Sequence, residues 1–275
     1  MTKKKFALIG KPISHSISPA LHNFWFEKYK IAAEYFLLEI TENKIEGILD
    51  KIRKKEIQGI NVTIPYKKTV VPFLDKIIND AEKTSSVNTI YLDDRNRLIG
   101  ENTDVYGFEK TLTKESEENL SGKDVLILGA GGVTSSIVYV LRKLKAENIF
   151  LSNRSVKKTE EIKKTFPFVN IILWEKKIEK IKEIDLLINA TSLGTKNEED
   201  FPHMFLNFKK SLVYYDLVYN PAQTKLMKHF IKNNIKVLNG LEMLIYQGQK
   251  AFNLWNKINP EVNDVLKEKI MSGRV

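Results

Sequence analysis

Three serines alternate in the stretch GKPISHSISPALHN, at positions 14, 16 and 18. Hydroxyls two residues apart on an extended backbone point to one side. That arrangement suits a small anion; it also suits ordinary turn and capping chemistry. Further polar groups gather in NVTIPYK (Asn61, Thr63, Lys67), SVNT (Asn88), ENTDVYG (Asn102, Asp104), NATSLG (Asn189, Thr191) and LIYQGQ (Gln247). Singly, each reads as a turn or cap residue. Together they form a set of polar groups placed mostly at the ends of strand-like runs.

VLILGAGGVTSS is the most interpretable stretch. A buried-type strand ends at Leu128, and Gly129 and Gly131 lead into a helix. Such glycines allow a tight turn and close backbone approach to a pyrophosphate, which the helix N-terminus then favours. The third glycine of the strict fingerprint is replaced by Thr134, so the weight rests on context: strand, glycines, helix, second strand. An NAD site places Asp or Glu at the end of that second strand, about 20 residues on. Here SNRSVKK puts Asn153 and Arg154 there, with Lys157 and Lys158 following. An acid repels a 2′-phosphate, whereas a guanidinium clamps one. The expected cofactor is therefore NADP.

These groups need a scaffold, and the chain supplies one. Residues 1–103 alternate strand-like runs (KFALIG, EYFLLEI, GINVTI) with helical ones. Ser18 is the expected N-cap, and Pro19 the first helical residue, of SPALHNFWFEKYK. SVNTIYL and RLIGEN predict a hairpin joined through DDRN. From Asp104 the pattern becomes regular βαβ alternation, which calls for a parallel sheet. The expected class is α/β with two domains, 1–103 and a Rossmann-like 104–238, and helices 239–275 packing back on the first.

Composition narrows the chemistry. The chain of 275 residues has no cysteine, which excludes disulfides, thiolate zinc sites and a cysteine nucleophile. His15, His22, His203 and His229 lack ligand spacing, so no metal is expected. No run approaches the roughly 18 apolar residues of a membrane span, and no secretory leader follows the N-terminal lysines. A cytoplasmic protein is expected. The net charge of +10 is spread over segments such as KIRKKE and WEKKIEKIKE, where acids interrupt the lysines. It reads as solvated helix faces, with neither nucleic acid nor membrane as partner.

PISHSISPALHN, NVTIPYK, VNT, NTDVYG, GAGG, NRS, NATS, DLVYNP and GLEMLIYQ occur in the order and approximate spacing of the shikimate dehydrogenases. From about residue 6 to 260 the chain resembles that family. The resemblance implies reversible reduction of 3-dehydroshikimate by NADPH to shikimate. It places the substrate carboxylate on Ser14 and Ser16, and the substrate hydroxyls on Thr63, Asn88, Asp104 and Gln247. Lys67, paired with Asp104, matches the catalytic lysine. Gly129, Ala130, Gly131, Gly132 and Val133 match the pyrophosphate loop, and Asn153, Arg154, Ser155 and Lys158 the 2′-phosphate loop. Leu217, Tyr219 and Gly240 match positions lining the nicotinamide. A homodimer is compatible with it. The chain departs from the family with VTSS after GAGG, NRS for NRT, and SSVNT for GAVNT. Two rivals stand beside this reading. A quinate/shikimate dehydrogenase of broader specificity should carry an acid at the second strand end. A non-catalytic NADP-sensing regulator would need neither Lys67 nor Asp104.

Overall fold

A computed structural model of the chain describes residues 3–116, 120–195, 199–201 and 204–272; His203 lies outside them. The chain forms two compact units, Met1–Phe108 with Leu244–Val275, and Glu109–Met243. The divisions fall inside helices, a few residues beyond the boundaries after 103 and 238 where sequence patterning puts them.

The first unit opens with β1 (Lys4–Gly10), α1 (Ser18–Lys28), β2 (Ala33–Glu39), α2 (Ile45–Arg53) and β3 (Gly59–Val62). It continues through β4 (Lys76–Ile77), α3 (Asp80–Thr84), β5 (Thr89–Leu92), β6 (Leu98–Glu101) and the start of α4 (Thr103–Ser116). The strands lie in the order β2-β1-β3-β5-β6-β4. β1 runs parallel to both neighbours, whereas β5 is antiparallel to β3 and β6. β1 is an interior strand, and its last five residues are buried, the near-continuous apolar run of a strand covered on both faces. α2 buries Ile45, Ile48, Leu49 and Ile52, the three-and-four spacing of one helix face.

The predicted hairpin is β5–β6. Asp93 Oδ1 accepts from the backbone N–H groups of Arg95 and Arg97, both at 2.9 Å, an Asx-type closure that suits DDRN. One helix start differs from expectation. Ile17 is the N-cap of α1, Ser18 the first helical residue and Pro19 the second, and no side chain caps the helix. Proline fits there because a first-turn N–H has no acceptor within the helix. Ser18 N–H donates instead to Ser16 Oγ at 3.3 Å.

The second unit contains β7 (Asp124–Leu128), α5 (Thr134–Lys143), β8 (Asn148–Ser152), α6 (Val156–Thr165), β9 (Asn170–Ile172) and α7 (Lys177–Lys180). Then come β10 (Leu186–Asn189), β11 (Val213–Asp216), α8 (Lys225–Lys232), β12 (Lys236–Leu238) and the start of α9 (Leu241–Asn256). These six strands pair in parallel throughout, in the order β12-β11-β10-β7-β8-β9. The order reverses between β7 and β10, which makes the ends of those strands the switch point of a doubly wound sheet.

α9 and α10 (Asp264–Ser272) return the chain to the first unit. Phe252 packs on Trp25 and Phe26 at ring separations of 5.5 and 5.2 Å, and Trp255 on Phe6 at 4.9 Å. Among the described residues, no helix is long and apolar enough to cross a membrane.

Candidate active site

β1 and β3 end side by side, so the loops that follow them leave the sheet together. Thr63 N–H donates to Ile9 O at 2.9 Å and Lys11 N–H to Ile64 O at 3.0 Å. The first loop carries Ser14, exposed, and Ser16, half-buried. It is folded by Ser16 N–H to Ile13 O at 2.9 Å and by Ile13 N–H to Glu39 Oε2 at 3.3 Å. The second loop carries half-buried Thr63 and buried Lys67. Lys67 O accepts from Val87 N–H at 2.8 Å, which ties this loop to the approach of β5.

Lys67 Nζ lies 2.5 Å from Asp104 Oδ2, and the two side chains are only 11% and 8% exposed. Asp104 sits in the first turn of α4, where the helix dipole favours a carboxylate. Asn88 Nδ2 donates to the other carboxylate oxygen at 2.9 Å and reaches Gln247 Oε1 at 3.4 Å. Gln247 Nε2 donates to Leu244 O at 2.8 Å, within α9. Thus Lys67, Asn88, Asp104 and Gln247 meet in one cluster, while Ser14, Ser16 and Thr63 stand on the adjoining loops. Such a sheltered ion pair contributes little to stability, because desolvating both charges offsets their attraction. It does supply a proton donor beside an acceptor.

In the second unit, Gly129 has φ +111°, and a Cβ there would meet Ala190 C and O at 2.7 Å. The turn after β7 therefore needs glycine for its conformation and for its close approach to the end of β10. Gly131 is different. A Cβ there would find nothing within 4 Å, so its face is open to a ligand. Thr134, in the place of the third fingerprint glycine, is buried and donates from its hydroxyl to Gly129 O at 3.0 Å. Its side chain braces the loop that a glycine would merely permit. Gly132 and Val133 complete this loop, and Val133 is the N-cap of α5.

Asn153 and Arg154 follow β8 directly. Asn153 Oδ1 accepts from Ala130 N–H at 3.3 Å, and its Nδ2 donates to Ser155 O at 3.0 Å. One side chain thus joins the glycine loop to the start of α6. Arg154, Ser155, Lys157 and Lys158 are exposed, and no acid occupies the first turn of α6. This donor set fits a phosphorylated ribose.

Leu217 and Tyr219 follow β11, and Gly240 follows β12. A Cβ on Gly240 would collide with Leu217 O and C, so residue 240 must be glycine for these strand ends to touch. Asp216, quoted within DLVYNP but given no role by motif reading, organises this region. Its Oδ1 accepts from Asn189 Nδ2 at 2.9 Å and Val218 N–H at 3.1 Å. Its Oδ2 accepts from the Tyr214 hydroxyl at 2.8 Å and the Thr224 hydroxyl at 2.9 Å. Burial raises its pKa, while these hydrogen bonds favour the ionised form. The available signal was one charged residue inside the apolar run LVYYDLVY.

A parallel doubly wound sheet binds its ligand outside the strand ends at the switch point, where the glycine loop and Asn153 stand. The second unit is thus of the Rossmann-like dinucleotide-binding class, joined in one chain to an α/β unit with a sheltered Lys–Asp pair. Comparison with known proteins narrows the class. Residues 8–90 match the family described as shikimate dehydrogenase substrate binding domain, and residues 111–217 that described as shikimate / quinate 5-dehydrogenase. A shikimate dehydrogenase (NADP(+)) from Pelagibacter ubique is 47% identical over 261 residues, covering 95% of this chain and 96% of its own. The crystal structure of shikimate 5-dehydrogenase from Thermus thermophilus in complex with NADP(H) and shikimate has a TM-score of 0.86 at 30% identity, covering 98% of this chain and 99% of its own. The ligand-free 5-ketofructose reductase of a Gluconobacter species has a TM-score of 0.87 at 26% identity, with 99% of both chains covered. The chain belongs to the shikimate dehydrogenase family, as its motifs indicate.

Proposed function

We propose that this protein is a shikimate dehydrogenase, an NADP-dependent oxidoreductase acting on a CH–OH group. It reduces 3-dehydroshikimate reversibly to shikimate, a step towards the aromatic amino acids. The observation that carries this reading is the sheltered Lys67–Asp104 pair, held by Asn88 beside loops rich in hydroxyls. Ser14 and Ser16 bind the substrate carboxylate; Thr63, Asn88, Asp104 and Gln247 bind its hydroxyls. Gly129 to Val133 hold the pyrophosphate, Asn153, Arg154, Ser155 and Lys158 the 2′-phosphate, and Leu217, Tyr219 and Gly240 the nicotinamide. When bound, NADPH supplies the hydride.

Hydride arrival at a carbonyl carbon leaves developing alkoxide charge on its oxygen. The Lys67 ammonium stabilises that charge and gives the oxygen a proton, as a positioned acid does. Asp104 holds Lys67 in place and shares the proton of a neighbouring substrate hydroxyl. In the reverse direction Lys67 takes the proton back. A pure NADP sensor needs no such pair, and an NAD-preferring quinate enzyme would carry an acid where Arg154 stands. Neither rival is favoured.

The decisive assay follows NADPH absorbance with shikimate or quinate, each with NADP or NAD. Rapid reduction with shikimate and NADP alone is expected. Equal rates with quinate and NAD would establish the broader enzyme, and no reduction in any combination the regulator. The cofactor and an anionic substrate do not cross membranes unaided, which supports a cytoplasmic location. Size-exclusion chromatography decides between monomer and homodimer.

A further inference from the structure

Behind the Lys67–Asp104 pair lies a run of buried polar side chains that the proposed reaction does not use. Tyr35, on β2, donates from its hydroxyl to Asn61 Oδ1 at 2.8 Å. Asn61, on β3, donates from Nδ2 to Thr89 Oγ1 at 3.0 Å and to Asn88 O at 3.1 Å. Thr89, the first residue of β5, donates to Asn88 Oδ1 at 3.1 Å. Asn88 Nδ2 then donates to Asp104 Oδ1 at 2.9 Å, and Lys67 takes the remaining oxygen. Tyr35, Asn61, Asn88 and Thr89 are between 0% and 5% exposed.

The polarity at Asn88 is forced. A carboxylate only accepts, so Asn88 must turn its NH₂ towards Asp104. The Thr103 backbone N–H only donates, and it lies 2.7 Å from Asn88 Oδ1, which demands the same orientation from the other side. Thr89 Oγ1 lies 3.1 Å from Asn88 Oδ1 and 3.3 Å from the Thr103 hydroxyl, which itself donates to Asn88 Oδ1; with its proton on Asn88 Oδ1, Thr89 keeps its lone pairs for Asn61 Nδ2. Asn61 Oδ1 is then free to accept from Tyr35. Burial holds the Tyr35 phenol well above its usual pKa, so it stays a donor. An unrestrained asparagine can turn over with no change in shape. Turned over, Asn88 would place a carbonyl oxygen against the Asp104 carboxylate, acceptor against acceptor.

We propose that Tyr35, Asn61 and Thr89 are positioning residues. They lock the Asn88 carboxamide, and through it Asp104, in the one orientation that leaves Asp104 Oδ2 to Lys67. Buried networks of this kind rigidify when every member is satisfied and fail as a unit when one is not. The role in turnover rests on the reading of Lys67 and Asp104 as the proton-transfer pair; the lock itself does not.

The test compares Thr89→Val, which keeps the shape and loses the hydroxyl, with Thr89→Ser, which keeps the hydroxyl, and with Tyr35→Phe at the far end. Thr89→Val and Tyr35→Phe should lower kcat about tenfold with KM for NADP unchanged, and Thr89→Ser should return kcat to near the parent. Nitrogen-15 NMR of the Asn88 side-chain NH₂, assigned by its loss in Asn88→Ala, should show slow hydrogen exchange in the parent and fast exchange in Thr89→Val. Parental kcat and parental exchange in folded Thr89→Val and Tyr35→Phe would overturn the proposal. Equal loss in Thr89→Ser and Thr89→Val would overturn it too, since packing alone would then explain the effect. If the parent does not oxidise shikimate while Thr89→Val still frees the amide, the proposed reaction fails and the lock stands. Should Thr89→Val not fold, Tyr35→Phe carries both readouts.

Discussion

Lys67 is the residue on which the proposed chemistry turns. Its ammonium is sheltered and held by one carboxylate, so its removal takes away the proton donor and leaves the groups around it in place. Lys67→Ala should lower kcat by roughly 10²–10⁴, with a much smaller change in KM for shikimate; a kcat within tenfold of the parent at every pH would dismiss Lys67 as the proton-transfer group. Ser14 and Ser16 test the other end of the substrate. Replacing both by Ala should weaken shikimate binding by about 1.5–3 kcal/mol for each lost bond to a charged group, and leave NADP binding intact by calorimetry. Arg154 is the residue proposed to read the cofactor. It is exposed beside Lys157 and Lys158, so its attraction for a 2′-phosphate is electrostatic and weakens as salt rises. Arg154→Ala should raise KM for NADP and leave turnover with NAD nearly unchanged. Equal harm to both cofactors would assign Arg154 to the fold or to the adenine pocket.

At the scale of elements, the glycine loop after β7 separates structure from binding. Gly129→Ala must place a Cβ against Ala190 at a positive φ, a strain on the order of 1–3 kcal/mol, and should lower Tm. Gly131→Ala meets nothing, so it should melt like the parent yet bind NADP more weakly. Similar Tm and similar affinity in the two variants would refute the distinction. Long apolar runs ending in polar motifs made β1, β3 and β7 legible in advance, because burial on both faces leaves an unmistakable pattern. β4, α3 and β12 were not legible. They are two, five and three residues long, and β4 and β12 owe their definition to a partner strand that sequence does not display. The Lys67–Asp104 pair was legible through motif order. Of the Tyr35–Asn61–Thr89 run only Asn61 stood out, within NVTIPYK, since Tyr35 and Thr89 look like ordinary strand positions until their neighbours are known. The N-cap of α1 slipped by one residue because Ser16, Ser18 and Pro19 satisfy several start signals at once.

At the scale of the whole molecule, the aromatic cluster that α9 completes has a price in acid. His22 is fully buried among Trp25, Tyr35, Phe252 and Trp255, and burial lowers its pKa to about 3. The unfolded chain binds the proton below about pH 6.5, whereas the folded chain resists it until about pH 3. Stability from this site is therefore complete above pH 6.5 and declines by up to about 1.4 kcal/mol per unit as the pH falls towards 3. In denaturant titrations between pH 7 and 4, the parent should lose stability relative to His22→Leu as the pH falls; a constant difference would show that His22 does not set the acid limit. The same cluster has a consequence for the order in which the molecule comes into being. The second unit is one unbroken stretch, Glu109–Met243, whereas the first needs both Met1–Phe108 and Leu244–Val275. On a ribosome the usual rule that N-terminal domains fold first is then reversed. Phe6, Trp25 and Phe26 must wait, with their apolar surface uncovered, until Phe252 and Trp255 have been made, while the nucleotide-binding sheet is already complete.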